Sequence, residues 1–401
     1  MRRRDIMRGM LATACSAAAH PWLTTMTMAA GRTLGENRLI VVILRGGMDG
    51  LDVVQPLHDP DFMALRPDLP RAGVALSGGF GLHAGLGGLM PLWQAGELGF
   101  VHATSTPYRD KRSHFDGQSL LEAGTGMDVE IDVVRDGWLN RMLQAIPELS
   151  AETAYAVGRE ALPLLSGRAR SLSWTPEVRV ELSSQSRFLL EHVFHDDPLF
   201  REAGGDALRL SEEEVDMAPA EQAPRGPIIP GEDRPWRHVD QLADFAAGRL
   251  RGETRIAAFS LAGWDTHRGQ GSALQKPLSQ LQRLVLRLHR DLGPEIWNRT
   301  ALLAMTEFGR TARANGSGGT DHGTAGAMVF AGGALRGGQV LGRWPGLAEA
   351  DLYGRRDLLP TSDLRAWVAW AMRGLYGLET AQLEQAVFPG LDMGNDPRFV
   401  R

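Results

Sequence analysis

Apolar positions along this chain gather in unbroken runs, and each run ends in a turn that carries an acid or a histidine. Leu39-Ile40-Val41-Val42-Ile43-Leu44 leads into Arg45-Gly46-Gly47-Met48-Asp49-Gly50. Ile256-Ala257-Ala258-Phe259-Ser260-Leu261 leads into Gly263-Trp264-Asp265-Thr266-His267, and Ala301-Leu302-Leu303-Ala304-Met305 into Thr306-Glu307-Phe308-Gly309-Arg310. Thr320-Asp321-His322-Gly323 stands just before a further run, Ala327-Met328-Val329-Phe330-Ala331. Runs of this length without polar alternation are strands buried on both faces, as in a parallel sheet. Ligands of such sheets bind beyond the carboxyl ends of the strands. Three strand ends therefore deliver carboxylates to one rim, with imidazoles beside them. Oxygen and imidazole donors together suit a divalent cation.

Between these strands the spacing changes to helical. Arg237 to Arg251, Gly271 to Leu292 and Leu364 to Leu375 carry apolar residues at three- and four-residue intervals. Leu98 to Ala103 and Ala154 to Val157 read as further strands. Leu86 to Trp93 reads as a helix with Pro91 in its first turn or at a kink. Ser113 to Glu122 forms a helix that Ser113 caps. Arg187 to Phe194 is another helical segment. Asp59 to Ser77 is a loop excursion. Gly204 to Pro235 is acidic and proline-rich and reads as a mobile surface insertion. Site residues lie on both sides of it, so residues 31–401 form a single domain. Helices alternating with buried strands make a layered α/β fold.

Composition narrows the functional classes. The net charge is −5, and no basic stripe with interleaved aromatics exists, so nucleic acid is not an expected partner. The single cysteine, Cys15, excludes an internal disulfide and a thiolate metal site. It falls in a leader spanning residues 1–30: a basic start, a short apolar stretch from Gly9 to Ala19, and small residues at Ala29-Ala30. Within it, Arg3-Arg4-Asp5-Ile6-Met7 resembles the twin-arginine pattern that exports folded proteins. The other reading of this segment is a disordered basic terminus. Export by the twin-arginine translocation machinery places the mature chain in the periplasm or otherwise outside the cytoplasm. No later stretch is long and apolar enough to span a membrane.

Each candidate residue has a chemical and a structural reading. Asp49, Asp265 and Glu307 at one rim repel one another unless a cation joins them; separately, each is an ordinary turn or helix cap. His267 and His322 are the nitrogen donors, or else hydrogen-bonding residues of the scaffold. Ser113 is a helix cap, and at a helix N-terminus beside a cation it is also a candidate nucleophile. His114 is a ligand, a general acid or packing beside Phe115. Arg310, with Arg109, Lys111 and Arg112, binds an anionic group, or Arg310 is a salt bridge that holds Glu307. Asp52 and His83 are weaker candidates, and Trp264 is either a pocket wall or core.

The motifs Leu44-Arg45-Gly46-Gly47-Met48-Asp49-Gly50, Arg112-Ser113-His114-Phe115, Gly263-Trp264-Asp265-Thr266-His267, Thr306-Glu307-Phe308-Gly309-Arg310 and Gly318-Gly319-Thr320-Asp321-His322-Gly323 run in order through the chain. In them the chain resembles the DUF1501 family of exported bacterial proteins, which are similar in turn to the alkaline phosphatase and sulfatase superfamily. The resemblance implies an alkaline-phosphatase-like fold, a three-layer α/β/α sandwich with a mostly parallel central sheet. It implies metal ligands at Asp49, Asp265, His267, Glu307 and His322, with Asp321 a ligand or a residue orienting His322, and Ser113 as nucleophile; His114 and Arg310 are the other catalytic candidates, from their own chemistry. Mixed nitrogen and oxygen donors suit zinc, manganese or iron, and the cofactor expected is one or two divalent ions, zinc or manganese. The chain departs from the superfamily where Phe308 follows Glu307 in place of a histidine. Ser113-His114-Phe115-Asp116-Gly117 lacks the Pro and Arg of a formylglycine sulfatase motif. The expectation is an exported metal-dependent hydrolase of small anionic phosphate or sulfate esters. The alternative is a non-catalytic exported protein of the same fold that binds a partner protein or serves an assembly.

Overall fold

The computed structural model describes residues 34–128, 136–146, 149–176 and 236–401. The leader, the helical segment at Arg187 to Phe194 and the insertion at Gly204 to Pro235 lie outside the described residues. Residues up to Thr175 and from His238 onward form one compact unit, which carries the sheet and the candidate site.

The main sheet has nine strands among the described residues. In chain order they are β1 (Arg38–Arg45), β2 (Leu98–Ser105), β3 (Ala154–Val157), β4 (Leu172–Trp174), β5 (Ile256–Ala262), β6 (Thr300–Met305), β7 (Gly326–Ala331), β8 (Val340–Leu341) and β9 (Ser362–Asp363). Their order across the sheet is β8-β2-β7-β6-β1-β5-β3-β4, with β9 also paired to β2. β1 sits between β5 and β6 and pairs parallel with both. β7 pairs antiparallel with β2 and β6, so it runs against the rest of the sheet. The expected mostly parallel sheet is present, with this one reversal.

Alternation along β1 shows why its run is continuous. Ile40, Val42 and Leu44 belong to one core cluster, and Leu39, Val41 and Ile43 to the other. The first core is closed by α3 (Arg237–Leu250) through Val239, Leu242 and Ala246, and by α4 (Gln275–Trp297) through Leu278, Leu281 and Leu288. The second is closed by α2 (Trp138–Gln144) and α5 (Leu364–Tyr376), through Trp138, Met142, Leu364, Val368 and Met372. These are the three layers of an α/β/α sandwich.

The helix expected from Gly271 to Leu292 is two pieces, Gln270–Ala273 and α4, and α4 itself bends at Gly293-Pro294. Leu86 to Trp93 is likewise divided. A 3₁₀ turn over Ala84–Leu89 passes into Met90–Gln94, where Pro91 occupies the first turn and needs no N–H partner. The excursion from Asp59 to Ser77 holds a single helical turn, Phe62–Leu65, and one two-residue strand, Val74–Ala75.

Candidate metal centre

The sheet's polarity assembles the site. β1, β5 and β6 are parallel, so the segments carrying Asp49, Asp265-Thr266-His267 and Glu307 leave from one rim. Because β7 is reversed, its amino end lies at that rim, and His322 arrives by preceding a strand. After β2 the chain crosses to α1 (His114–Ala123), capped by Ser113, whose Oγ accepts from the Asp116 N–H at 3.3 Å. Arg112 is held at φ +55, and its carbonyl takes the Nδ1 hydrogen of His322 at 2.8 Å. A non-glycine residue in that region stores strain of order 1 kcal/mol. Here the strained turn aims a carbonyl at the His322 imidazole.

Three histidines share one pattern. The Nδ1 of His114 lies 2.8 Å from Glu307 Oε1. The Nδ1 of His267 lies 3.3 Å from Asp321 Oδ1. With His322 on the Arg112 carbonyl, every Nδ1 is fixed by an oxygen acceptor and every Nε2 is left to offer a lone pair. All three Nε2 atoms point to one carboxylate. His114 Nε2 is 3.4 Å from Asp265 Oδ2; His267 and His322 Nε2 are 3.0 and 3.3 Å from Asp265 Oδ1. The donor atoms of His114, Asp265 and His322 lie within 4.8 Å of one another.

Burial and charge tune this group. Burial works to raise the Asp265 carboxyl, but the hydrogen bond and charge of Arg310 outweigh it and hold it below its ordinary value. Burial likewise presses the Glu307 carboxyl upward and is overcome by hydrogen bonds from His114 and Gln118 and from the Gly46 N–H. The Glu307 hydrogen bond raises His114. Burial lowers His322, which favours the neutral, metal-binding imidazole. Phe308, which follows Glu307, is buried beside these histidines. Its ring packs 4.9 Å from the rings of both His114 and His322, which themselves meet edge to face at 4.3 Å.

Close approach explains two glycines of the first motif. A Cβ on Gly46 would stand 2.5 Å from the Asp265 backbone nitrogen, and one on Gly47 2.8 Å from the Phe308 ring; both residues have positive φ. The β1 turn therefore lies directly against the Asp265 segment.

Two residues expected at the site have other occupations. Asp49, expected as a ligand, is 1% exposed and makes a two-pronged ion pair with the equally buried Arg66, at 2.7 and 3.2 Å. Gln270 Nε2 adds a bond at 2.7 Å, and Asp49 also caps the turn Gly50–Val53. Its charge is neutralised by a guanidinium, and it is not among the converging donor atoms. Arg310, expected to bind an anion, donates to the carbonyls of Gly46, Gly47, Trp264 and Thr320 and to Asp265 Oδ1 at 2.6 Å. Buried and fully engaged, it ties the β1 turn, the Asp265 turn and the His322 segment together. Its acidic partner is Asp265 rather than Glu307.

Glu307 is fully buried with both oxygens bonded, so it reaches the centre by holding His114. Asp321 stands in the same relation to His267. Trp264 is core, and Asp52 and His83 are buried away from the three imidazoles, Asp52 on the amides of Gln55 and Gln270. Arg109 is folded onto Ser105, Thr106 and Tyr108. Lys111 and Arg112 are exposed and make no side-chain ion pair or hydrogen bond among the described residues. Sequence reasoning missed Arg66, Gln118 and Gln270. Gln118 stands one helical turn after His114, a spacing that marks a shared face.

The DUF1501 family, described as "Protein of unknown function", matches residues 103–385, and the chain belongs to it. Among curated proteins none matches. Solved structures with a similar course of the chain include a protein in the alkaline phosphatase superfamily from Vibrio parahaemolyticus, 11% identical over 90% of this chain and 72% of that one, with a TM-score of 0.39. The lipoteichoic acid synthase LtaP from Listeria monocytogenes is 9% identical over 88% and 76%, with a TM-score of 0.40. The C-terminal periplasmic domain of EptC from Escherichia coli, in complex with Zn, is 10% identical over 75% and 74%, with a TM-score of 0.33. At these identities and scores the likeness carries no argument about reaction or substrate.

Proposed function

We propose that the chain is an exported hydrolase of phosphate or sulfate esters that works with one divalent cation. The observation that carries this reading is the convergence of three Nδ1-anchored imidazoles on Asp265. His114 Nε2 is buried and has no hydrogen-bond partner, an orphan that a cation would satisfy. His267 and His322 bring Nε2 to within 2.9 Å of each other, a contact between two lone pairs that a shared cation or proton must relieve. A set of three imidazoles and one carboxylate fits zinc or manganese. His114, Asp265, His267 and His322 would hold the ion, with Glu307, Asp321 and the Arg112 carbonyl behind them. Bound there, a divalent cation supplies Lewis-acid polarisation of an ester oxygen.

The count of one rests on the partners of the remaining acids. Asp49 has Arg66 and Glu307 has His114, so neither is left to hold a second ion. The chain's own residues supply the rest. Ser113 occupies the place of the nucleophile, between Arg112 and His114. Lys111, Arg112, Arg268 and Arg313 are exposed cations without ion pairs among the described residues, and they give the rim a welcome for an anionic ester.

Hydrolysis of 4-nitrophenyl phosphate, bis(4-nitrophenyl) phosphate and 4-nitrophenyl sulfate by zinc- and manganese-loaded protein tests the proposal. Metal-dependent turnover that Ser113→Ala removes without loss of metal supports it. Bound metal with no turnover on any of the three favours the non-catalytic binding or assembly reading, which Phe308 in place of an imidazole already recommends.

A further inference from the structure

The histidine cluster has a second flank, beside the helix that carries His114. Arg268 and Arg313, exposed and without ion pairs among the described residues, belong to the His267–His322 side. The Arg112 carbonyl holds His322, Arg268 follows His267, and Arg313 lines a cavity with Asp321. On the His114 side lies a separate cleft of 610 Å³, lined by Arg45, Phe115, Gln118, Glu122, Asp136 and Glu160 among others. Phe115 immediately follows His114, and Gln118 bonds Glu307, so the cleft adjoins the same centre.

Its chemistry is acceptor-rich. Arg45 is its one cation, and it is matched twice over, by Glu122 and by Glu160, each at 2.9 Å. Asp136 adds a third carboxylate, bonded to the neutral amide of Gln144, with the Arg141 guanidinium close by. The lining therefore sets three carboxylates against one guanidinium, burial raising the pKa of the Glu122 carboxyl. Phe115 is 80% exposed, the largest exposure of any big apolar side chain among the described residues. An uncovered aromatic face beside surplus carboxylates is the environment that attracts an ammonium group, by cation–π attraction and by N–H donation to carboxylate oxygens. It repels an anion.

We infer that this cleft binds a primary ammonium group of the substrate, so that the ester is zwitterionic, with its anionic end at the histidine cluster and its amine over Phe115. The substrate class rests on the proposed hydrolase reading, but the ammonium site does not require the metal. Phe115 and Glu160 are then specificity-determining residues.

Binding of ethanolamine and of its neutral isostere ethylene glycol, followed by saturation-transfer NMR on the full chain with and without zinc, isolates the cleft. Ethanolamine should bind at least about fivefold more tightly than the glycol. Phe115→Ala and Glu160→Gln, both surface changes, should each reduce that preference. In zinc-loaded protein, 2-aminoethyl phosphate should exceed ethyl phosphate in kcat/KM by a similar factor, and Phe115→Ala should equalise the two. Equal binding of ethanolamine and glycol, or a preference unmoved in both variants, overturns the ammonium site. An intact ethanolamine preference with no hydrolysis of either phosphate ester leaves the cleft standing and removes the hydrolase.

Discussion

His267 and His322 face each other through Nε2 atoms only 2.9 Å apart, while the Nδ1 atoms of both are anchored on oxygens, Asp321 Oδ1 and the Arg112 carbonyl. Two neutral imidazoles so anchored present lone pair to lone pair. The contact is stable only with something positive near it. A proton can serve, and a divalent cation serves better because Asp265 and His114 complete its ligand set. This relationship is what the proposed metal centre would explain.

Asp49 should prove structural. Replacing it with alanine strands the fully buried Arg66 guanidinium. Breaking a buried pair in this way costs about 3–5 kcal/mol. Urea unfolding of Asp49→Ala should show that loss, while metal bound per folded chain stays at the wild-type value. Loss of metal with unchanged stability would return Asp49 to the ligand set.

Glu307 should act through His114. The variant Glu307→Gln keeps the size of the side chain but weakens the anchor on Nδ1. Loss of such an anchor lowers metal affinity by about 10- to 100-fold. Isothermal titration with zinc measures it. Unchanged affinity would mean that His114 needs no anchor to bind metal, or does not bind it.

His102 gives the fold a pH dependence of its own. Burial drives its pKa down to about 4, against the opposing pull of carbonyl hydrogen bonds that include Val54 at 2.9 Å. The unfolded chain takes up this proton near pH 6.5, before the folded chain does, so the unfolded state binds more protons in between. Stability is therefore full above pH 6.5 and falls as the pH drops toward 4, by about 3 kcal/mol at most from this group. Denaturant titrations of metal-free protein across that window should show the fall, and His102→Gln should flatten it. An equal slope in the variant would place the titration elsewhere.

Export rests on the leader alone. Changing Arg3 and Arg4 together to lysine should stop translocation of a folded reporter fused behind residues 1–30. Undiminished export of the double-lysine fusion would contradict the twin-arginine assignment.

How much of the fold and the site is legible in the sequence depends on the range of each interaction. β1, β5 and β6 are plain because strands buried on both faces leave unbroken apolar runs. The reversal of β7 is not, since a six-residue apolar run carries no mark of direction. Asp265, His267 and His322 stand out by their place beside strands. The partner of Asp49 does not: Arg66 lies in a segment whose proline and aspartate content reads as loop. Nor can the sequence tell that Arg310 pairs with Asp265, 45 residues before it, rather than with neighbouring Glu307. Such pairings are decided by which rim segments meet in three dimensions, and local spacing does not encode them. Ser113 is legible as a cap, and it is one; the same position between Arg112 and His114 makes it the candidate nucleophile.

The most direct test is the metal itself. Purified protein, dialysed against zinc or manganese and then freed of unbound ion, is analysed for metal by mass spectrometry beside His114→Ala and His322→Ala. The account predicts one ion per wild-type chain and a large loss in both variants, with far-ultraviolet circular dichroism unchanged. Wild-type protein without retained metal, or variants that keep the full ion, would contradict it.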